Sequence, residues 1–233
     1  MIEIIAFDAD DTLWDNEIFY IQAKEQFVKL LSNYQDPDKV EQLLDEIEVD
    51  NVAIYGYGIK SFMLSMAETA LEISDGRITG MEMAGVLDLG RQMLSRPVEL
   101  FRHTEEVLVQ LSKDWELMLL TKGDIFEQSK KIERSGISAY FRYIEITGEK
   151  TKASYQSLLE RRRLDPRKFL MVGNSLKSDI LPVIELGGQA VYVPYKNTWS
   201  HEQASLDLAS KDGYYEIDHL GQLPDLVSRL VSR

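Results

Sequence analysis

The chain has 233 residues, 44% of them hydrophobic and 28% charged, and a formal net charge of −13. This balance supports one large domain, or a domain with a substantial insertion, and excludes an intrinsically disordered chain. The negative charge argues against nucleic acid or an anionic membrane as a partner, since both need clustered Lys and Arg. The lack of cysteine excludes disulfides, thiolate metal sites and cysteine nucleophiles.

The amino terminus reads MIEIIAFDAD. It has an early acid, no basic n-region and an apolar run too short for a signal peptide or a membrane span, so a soluble, cytoplasmic protein is expected. Residues Ile2 to Phe7 are apolar and partly β-branched and end at Asp8, which predicts a buried strand opening the fold. From about Glu17 to Met93 no segment carries a strong strand signal. Ile59, Phe62, Met63, Met66, Ala70 and Ile73 recur at helical spacing, and Leu43, Leu44 and Ile47 do so over a shorter stretch. This block is expected to consist of helices packed on one another.

The pattern changes after Pro97. Thr104, Glu105 and Glu106 resemble a helix start, with acids suited to the helix dipole. Trp115 to Leu120 predicts a strand ending at Thr121. Phe126 to Ser135 predicts a helix stopped by Gly136. A short strand is expected over Arg142 to Ile146, a helix over Ser154 to Arg163, a strand over Phe169 to Val172, a helix over Leu176 to Leu186 and a strand over Ala190 to Val193. Strands alternating with helices indicate an α/β domain with a mostly parallel sheet. Because the helical block follows the first strand, the core is expected to be discontinuous, residues 1–16 and 97–233, with an inserted helical domain at 17–96.

Ligands of open α/β sheets gather at the carboxyl ends of the strands. Three predicted strands end in polar residues: Asp8, Asp10 and Asp11; Thr121, Lys122, Gly123 and Asp124; and Gly173, Asn174, Ser175 and, slightly later, Asp179. Lys150, just before a predicted helix, can reach the same rim. Asp and Asn oxygens with backbone carbonyls are hard ligands that suit Mg²⁺. A carboxylate beside the ion can attack phosphorus, a hydroxyl and backbone N–H groups can hold the phosphoryl oxygens, and a second acid two residues on can protonate the leaving group. A bound cation would also reconcile the acidic chain with a phosphorylated ligand. Taken singly, each residue has a plainer reading. Asp11 and Asp15 suit a turn or a cap, Lys150 a solvated surface, and Asp179 the support of a helix turn. His103, His201 and His219 lack metal-ligand spacing. The sequence Tyr55-Gly56-Tyr57-Gly58 is no dinucleotide fingerprint, because no strand precedes it.

FDADDTLW around Asp8, LMLLTKGD around Thr121, GEKTKASY around Lys150 and GNSLKSD from Gly173 to Asp179 resemble, in order and spacing, the four motifs of the haloacid dehalogenase superfamily. The resemblance spans nearly the whole chain. It implies a Rossmann-like core with a helical cap of the first (C1) type. It also implies a Mg²⁺-dependent phosphatase forming an aspartyl-phosphate, with Asp8 as nucleophile and Asp10 as general acid and base. Thr121, with Lys122 and Gly123, would bind the phosphoryl group, and Lys150 would steady Asp8 and phosphate. Asp8, the Asp10 carbonyl and a residue of the fourth motif would hold the metal. The chain departs from the pattern at Asn174, where the family usually has an acid. The expectation is that Asn174 remains a ligand and Asp179 supplies the missing charge, directly or through water.

Asp10 argues against a dehalogenase, since halide leaves without a proton. A phosphonatase would need a cap lysine, for which Lys24, Lys29, Lys39 and Lys60 are present. A phosphomutase shares the same acid and ranks second; a catalytically weak binding module is favoured by Asn174 alone, with Asp8, Asp10, Thr121 and Lys150 against it. The expected substrate is a small phosphorylated metabolite, with Tyr55, Tyr57 and Lys60 as candidates to line the cleft.

Overall fold

The computed structural model describes residues 2–197 and 211–231. The chain separates into two compact units, one comprising Met1–Glu17, Val98–Lys122 and Gln128–Arg233, the other Ile18–Pro97 and Gly123–Glu127. His201 lies outside the described residues.

The first unit is built on a six-stranded parallel sheet: β1 (Ile4–Phe7), β2 (Glu116–Lys122), β3 (Tyr143–Thr147), β4 (Phe169–Gly173), β5 (Gln189–Tyr192) and β6 (Tyr214–Glu216). The order is β3-β2-β1-β4-β5-β6, so β1 lies between β2 and β4, with Phe7 opposite Leu119 on one side and Val172 on the other. This is a Rossmann-like α/β order, and its chain reversal falls beside β1. Every residue of β1 is buried, as a continuous apolar run on a doubly covered sheet requires. Alternation then sorts the strands. Ile5, Phe7, Leu117, Leu119, Leu170 and Val172 join one core, with Val107 and Leu108 of α5 (Thr104–Leu111) and Leu226 and Val227 of α9 (Leu223–Val231). Ile4, Ala6, Met118, Leu120, Phe169 and Met171 join the opposite core, with Tyr155 and Leu158 of α7 (Lys152–Arg162).

Two local outcomes differ from the sequence reading. The helix expected over Leu176–Leu186 is broken into a π-helical turn, Leu176–Ile180, and a single turn α8, Leu181–Ile184, where Pro182 has no N–H to extend the earlier turn. Thr104, Glu105 and Glu106 do begin α5, as expected, but without a side-chain cap. His103 precedes it at φ +71, and the Thr104 hydroxyl instead donates to the Leu13 carbonyl at 3.1 Å. Strand β6 and helix α9, beyond Val193, had no counterpart in the sequence reading.

The second unit is helical: most of α1 (Glu17–Leu30), then α2 (Pro37–Tyr55), α3 (Ile59–Ile73) and α4 (Gly80–Ser95). Asp36 accepts from the Asp38 N–H ahead of α2, where Pro37 occupies the first turn, and Thr79 with Glu82 forms a capping box on α4. Phe27, Leu44, Phe62, Met66 and Val86 form its core. The N-terminus of α3 is closed by the Glu127 carboxylate, which accepts from the N–H groups of Ile59 (2.8 Å) and Lys60 (3.1 Å), while Lys60 pairs with Asp124 at 2.8 Å. Gly58 precedes this end at φ +125, and a Cβ there would come within 2.6 Å of Glu127 Oε2, so the turn needs glycine on both counts. Among the described residues no helix is long and apolar enough to cross a membrane.

Candidate active site

Asp8 leaves β1, Thr121 sits near the end of β2, and Asn174 and Ser175 follow β4, all at carboxyl ends of neighbouring strands. Lys150 comes from the segment after β3, just before the capping box with which Thr151 and Ser154 start α7. Its ammonium donates to Asp8 Oδ1 and, at 2.8 Å, to Asp179 Oδ1, with all three residues buried. The structure thus makes Lys150 a doubly paired buried cation rather than a surface lysine. Thr12 ties the other side. Its hydroxyl lies 3.3 Å from Asp8 Oδ2 and 3.2 Å from Asn174 Oδ1, and it accepts the Asn174 backbone N–H at 3.1 Å.

The electrostatics follow from burial. Desolvation and the Asp179 charge push the Asp8 carboxyl up to about 7, against the pull of Lys150. Burial alone would lower Lys150, but Asp179 and Asp8 outweigh it and hold the ammonium above its ordinary value. Asp179 has its second oxygen bound as well, accepting the Ser175 N–H at 3.0 Å. It packs directly on the backbone of Gly173, where a Cβ would collide with its carboxyl group. Lys122 donates to the Ser178 hydroxyl at 3.2 Å, linking the ends of β2 and the turn after β4. Thr121 is buried, and Gly123, at φ +136, begins the five residues grouped with the helical unit.

Asp10 is held by partners that the sequence reading missed. Its Oδ1 accepts from Trp14 Nε1 at 2.6 Å, its Oδ2 from Gln128 Nε2 at 2.8 Å, and the Lys131 ammonium lies 2.6 Å from each oxygen. Burial pushes this carboxyl upward, yet Lys131 and the hydrogen bonds prevail and keep it below the usual carboxylate range. Gln128 and Lys131 lie three residues apart on α6 (Ile125–Ser135), on the face that also carries the buried Ile132 and Ser135. An inward charge on an amphipathic helix is the one signal that could have revealed them. Asp11 adopts φ +60 and accepts the N–H groups of Asn16 and Glu17, a capping role at the start of α1. Asp15 accepts from the Tyr195 hydroxyl at 2.5 Å. His103 stacks on His219 at 5.2 Å.

Among the described residues no three His, Cys, Asp or Glu side chains form a metal-holding group. The side-chain donors at this site are of another kind: one carboxylate of Asp8 and the amide oxygen of Asn174, turned to the same hydroxyl. Hard oxygen donors with few carboxylates suit Mg²⁺, which keeps several of its waters and is not normally enclosed by protein ligands alone. The residues present therefore fit that ion.

A family model described as haloacid dehalogenase-like hydrolase matches residues 2–187. A haloacid dehalogenase-like family hydrolase from Xanthomonas campestris superposes with a TM-score of 0.88 at 36% identity, over 98% of this chain and 91% of that one. Glyceraldehyde 3-phosphate phosphatase of Methanothermobacter thermautotrophicus is 27% identical over 97% of this chain and 100% of its own. N-acylneuraminate-9-phosphatase of Rattus norvegicus is 24% identical over 98% and 95% respectively.

Proposed function

The chain belongs to the haloacid dehalogenase-like hydrolases, and from that premise we propose that it is a Mg²⁺-dependent phosphatase that cleaves a small phosphorylated metabolite through an aspartyl-phosphate on Asp8. Hydrolysis of phosphoric monoesters is the activity in the names of the relatives matched over nearly their whole length. The observation that carries the mechanism is the Lys150 ammonium bonded to both Asp8 and Asp179, which brings a nucleophile, a fixed cation and the fourth motif to one point.

Asp8, Asn174 Oδ1 and the Asp10 carbonyl are the residues that would hold Mg²⁺. We assign Asp179 a different part, since one of its oxygens accepts from Lys150 and the other from the Ser175 N–H: it would supply negative charge to the site and fix Lys150. When bound, the metal supplies positive charge that offsets repulsion between a phosphoryl group and the carboxylates. The Asp8 carboxylate attacks phosphorus in line, its new P–O bond forming as the bond to the substrate oxygen breaks. Asp10, carrying a proton in the substrate complex, gives it to the departing oxygen. Thr121, Lys122 and Gly123 are assigned to the phosphoryl oxygens, and Lys150 to the charge shared between them and Asp8. Asp10, now a carboxylate, takes a proton from water, whose oxygen bonds to phosphorus as the bond to Asp8 breaks. Inorganic phosphate leaves and Asp8 is restored. Asp10 suits the dehalogenases of this fold poorly, because a halide needs no proton.

The named substrates of the two relatives are a sugar acid phosphate and a triose phosphate, and a phosphorylated sugar or polyol is the class proposed here. The test is a screen of phosphorylated metabolites with p-nitrophenyl phosphate as control, reading inorganic phosphate in Mg²⁺ and in chelator. Phosphate release that requires Mg²⁺ is expected. Release unaffected by chelator would remove the metal, an isomeric phosphate without release would indicate a mutase, and no reaction with any monoester would leave a binding module.

A further inference from the structure

We infer that Lys131, together with Gln128 and Trp14, positions the Asp10 carboxylate for its proton exchange with the leaving group, an assignment that rests on reading Asp10 as the general acid and base. An ionised carboxylate offers about four lone-pair positions. Here four contacts occupy them: Trp14 and Lys131 on Oδ1, Gln128 and Lys131 on Oδ2. The group is therefore fixed in rotation as well as in place. Its holders are fixed in turn. Lys131 also donates to Asn16 Oδ1 at 3.0 Å, and Gln128 directs Nε2 both to Asp10 and, at 2.8 Å, to the carbonyl of Lys122, beside Thr121. Among the described residues the buried Gln128 Oε1 has no partner. The amide leaves an acceptor unsatisfied, at a cost in stability, while its nitrogen stays on Asp10 and the end of β2.

A lysine on the inward face of α6 is unfavourable unless its charge is met. Among the described residues the carboxylate it pairs with is that of Asp10, which accounts for its presence. Because Lys131 alone spans both oxygens, it can keep hold of one while the other exchanges its donor for a proton. Trp14 holds Oδ1 alone and Gln128 Oδ2 alone, so each serves when the other oxygen exchanges, and Lys131 serves in either case. Lys131 is thus a positioning residue that acts through Asp10.

The test compares kcat/KM for p-nitrophenyl phosphate and phenyl phosphate, which differ mainly in how far the leaving oxygen needs a proton, in wild type and in Asp10→Asn, Lys131→Met, Lys131→Arg and Gln128→Leu. Lys131→Met is expected to lower the phenyl rate by about tenfold more than the p-nitrophenyl rate, in the same direction as Asp10→Asn. Lys131→Arg should restore part of that ratio, and Lys131→Met added to Asp10→Asn should change it no further. Retained p-nitrophenyl turnover shows that a variant is folded; if Lys131→Met fails this check, Gln128→Leu and Lys131→Arg carry the comparison. A wild-type ratio in the folded lysine variants, beside a changed ratio in Asp10→Asn, overturns the inference and leaves the role of Asp10 standing. An unchanged ratio in Asp10→Asn overturns both.

Discussion

Thr12 and Asn174, 162 residues apart, hold one another on both sides of a peptide group: the Asn174 N–H donates to Thr12 Oγ1 at 3.1 Å, and the same hydroxyl lies 3.2 Å from Asn174 Oδ1. Thr12 closes the loop after β1 and Asn174 opens the turn after β4, so this contact sets the edge of the site on which Asp8 also rests. Thr12→Val keeps the shape but leaves the buried Asn174 N–H without its acceptor. A loss of about 1–3 kcal/mol in urea denaturation is expected, with most of it recovered in Thr12→Ser. Equal stability of the valine and serine variants would show that the hydroxyl is not what joins the two loops.

In the proposed metal site Asn174 would give an oxygen without a charge. Asn174→Asp would place a third carboxylate near Asp8 and Asp179, both buried. Without metal the variant should melt below wild type through like-charge repulsion, and Mg²⁺ should bind about tenfold more tightly by calorimetry as ligand charge rises. An unchanged affinity would mean that position 174 does not touch the ion.

Gly173 is required for contact rather than for a turn. A methyl group there falls on the carboxyl group of Asp179, which is nearly inaccessible to solvent. Gly173→Ala should cost about 1–3 kcal/mol through overpacking and should also lower turnover, since Asp179 holds Lys150. Wild-type stability together with wild-type turnover would show that Asp179 can shift without consequence.

Glu48 on α2 provides a pH test within the helical unit. Burial, with Asp45 adding and Lys24 opposing, pushes its carboxyl from the ordinary 4.5 to about 7. The folded state then holds a proton that the unfolded chain releases, so this residue's contribution to stability is full below pH 4.5 and is lost as pH rises to about 7. Glu48→Gln should match wild type near pH 4.5 and melt about 2 °C above it near pH 8. The opposite ordering at pH 8 would show that the carboxylate is satisfied in the folded protein.

The parts of this molecule legible in the sequence are those where one local cause dominates. Residues Ile4 to Phe7 form a strand buried on both faces, and a run of that kind with an acid at its end announces both β1 and Asp8. The α3 stripe of Phe62, Met66 and Ala70 likewise reports its own burial. Lys131 was not legible, because a lysine on a helix rich in Lys and Glu has the pattern of a solvated face until Asp10 is seen opposite it. The π-helical turn at Leu176–Ile180 was missed because apolar spacing does not reveal where the ladder slips, although Pro182 marks the place. Strand β6 is three residues long and only partly buried, too short to show alternation.

The central claim, that Asp8 becomes phosphorylated, is tested most directly by acid-quenching the enzyme during turnover of a radiolabelled phosphomonoester in Mg²⁺ and locating the label by peptide mass spectrometry. An acid-stable, hydroxylamine-sensitive label on the peptide carrying Asp8, absent from a folded Asp8→Asn variant that has also lost turnover, is the expected result. Turnover retained in Asp8→Asn, or label carried by another residue, would contradict it.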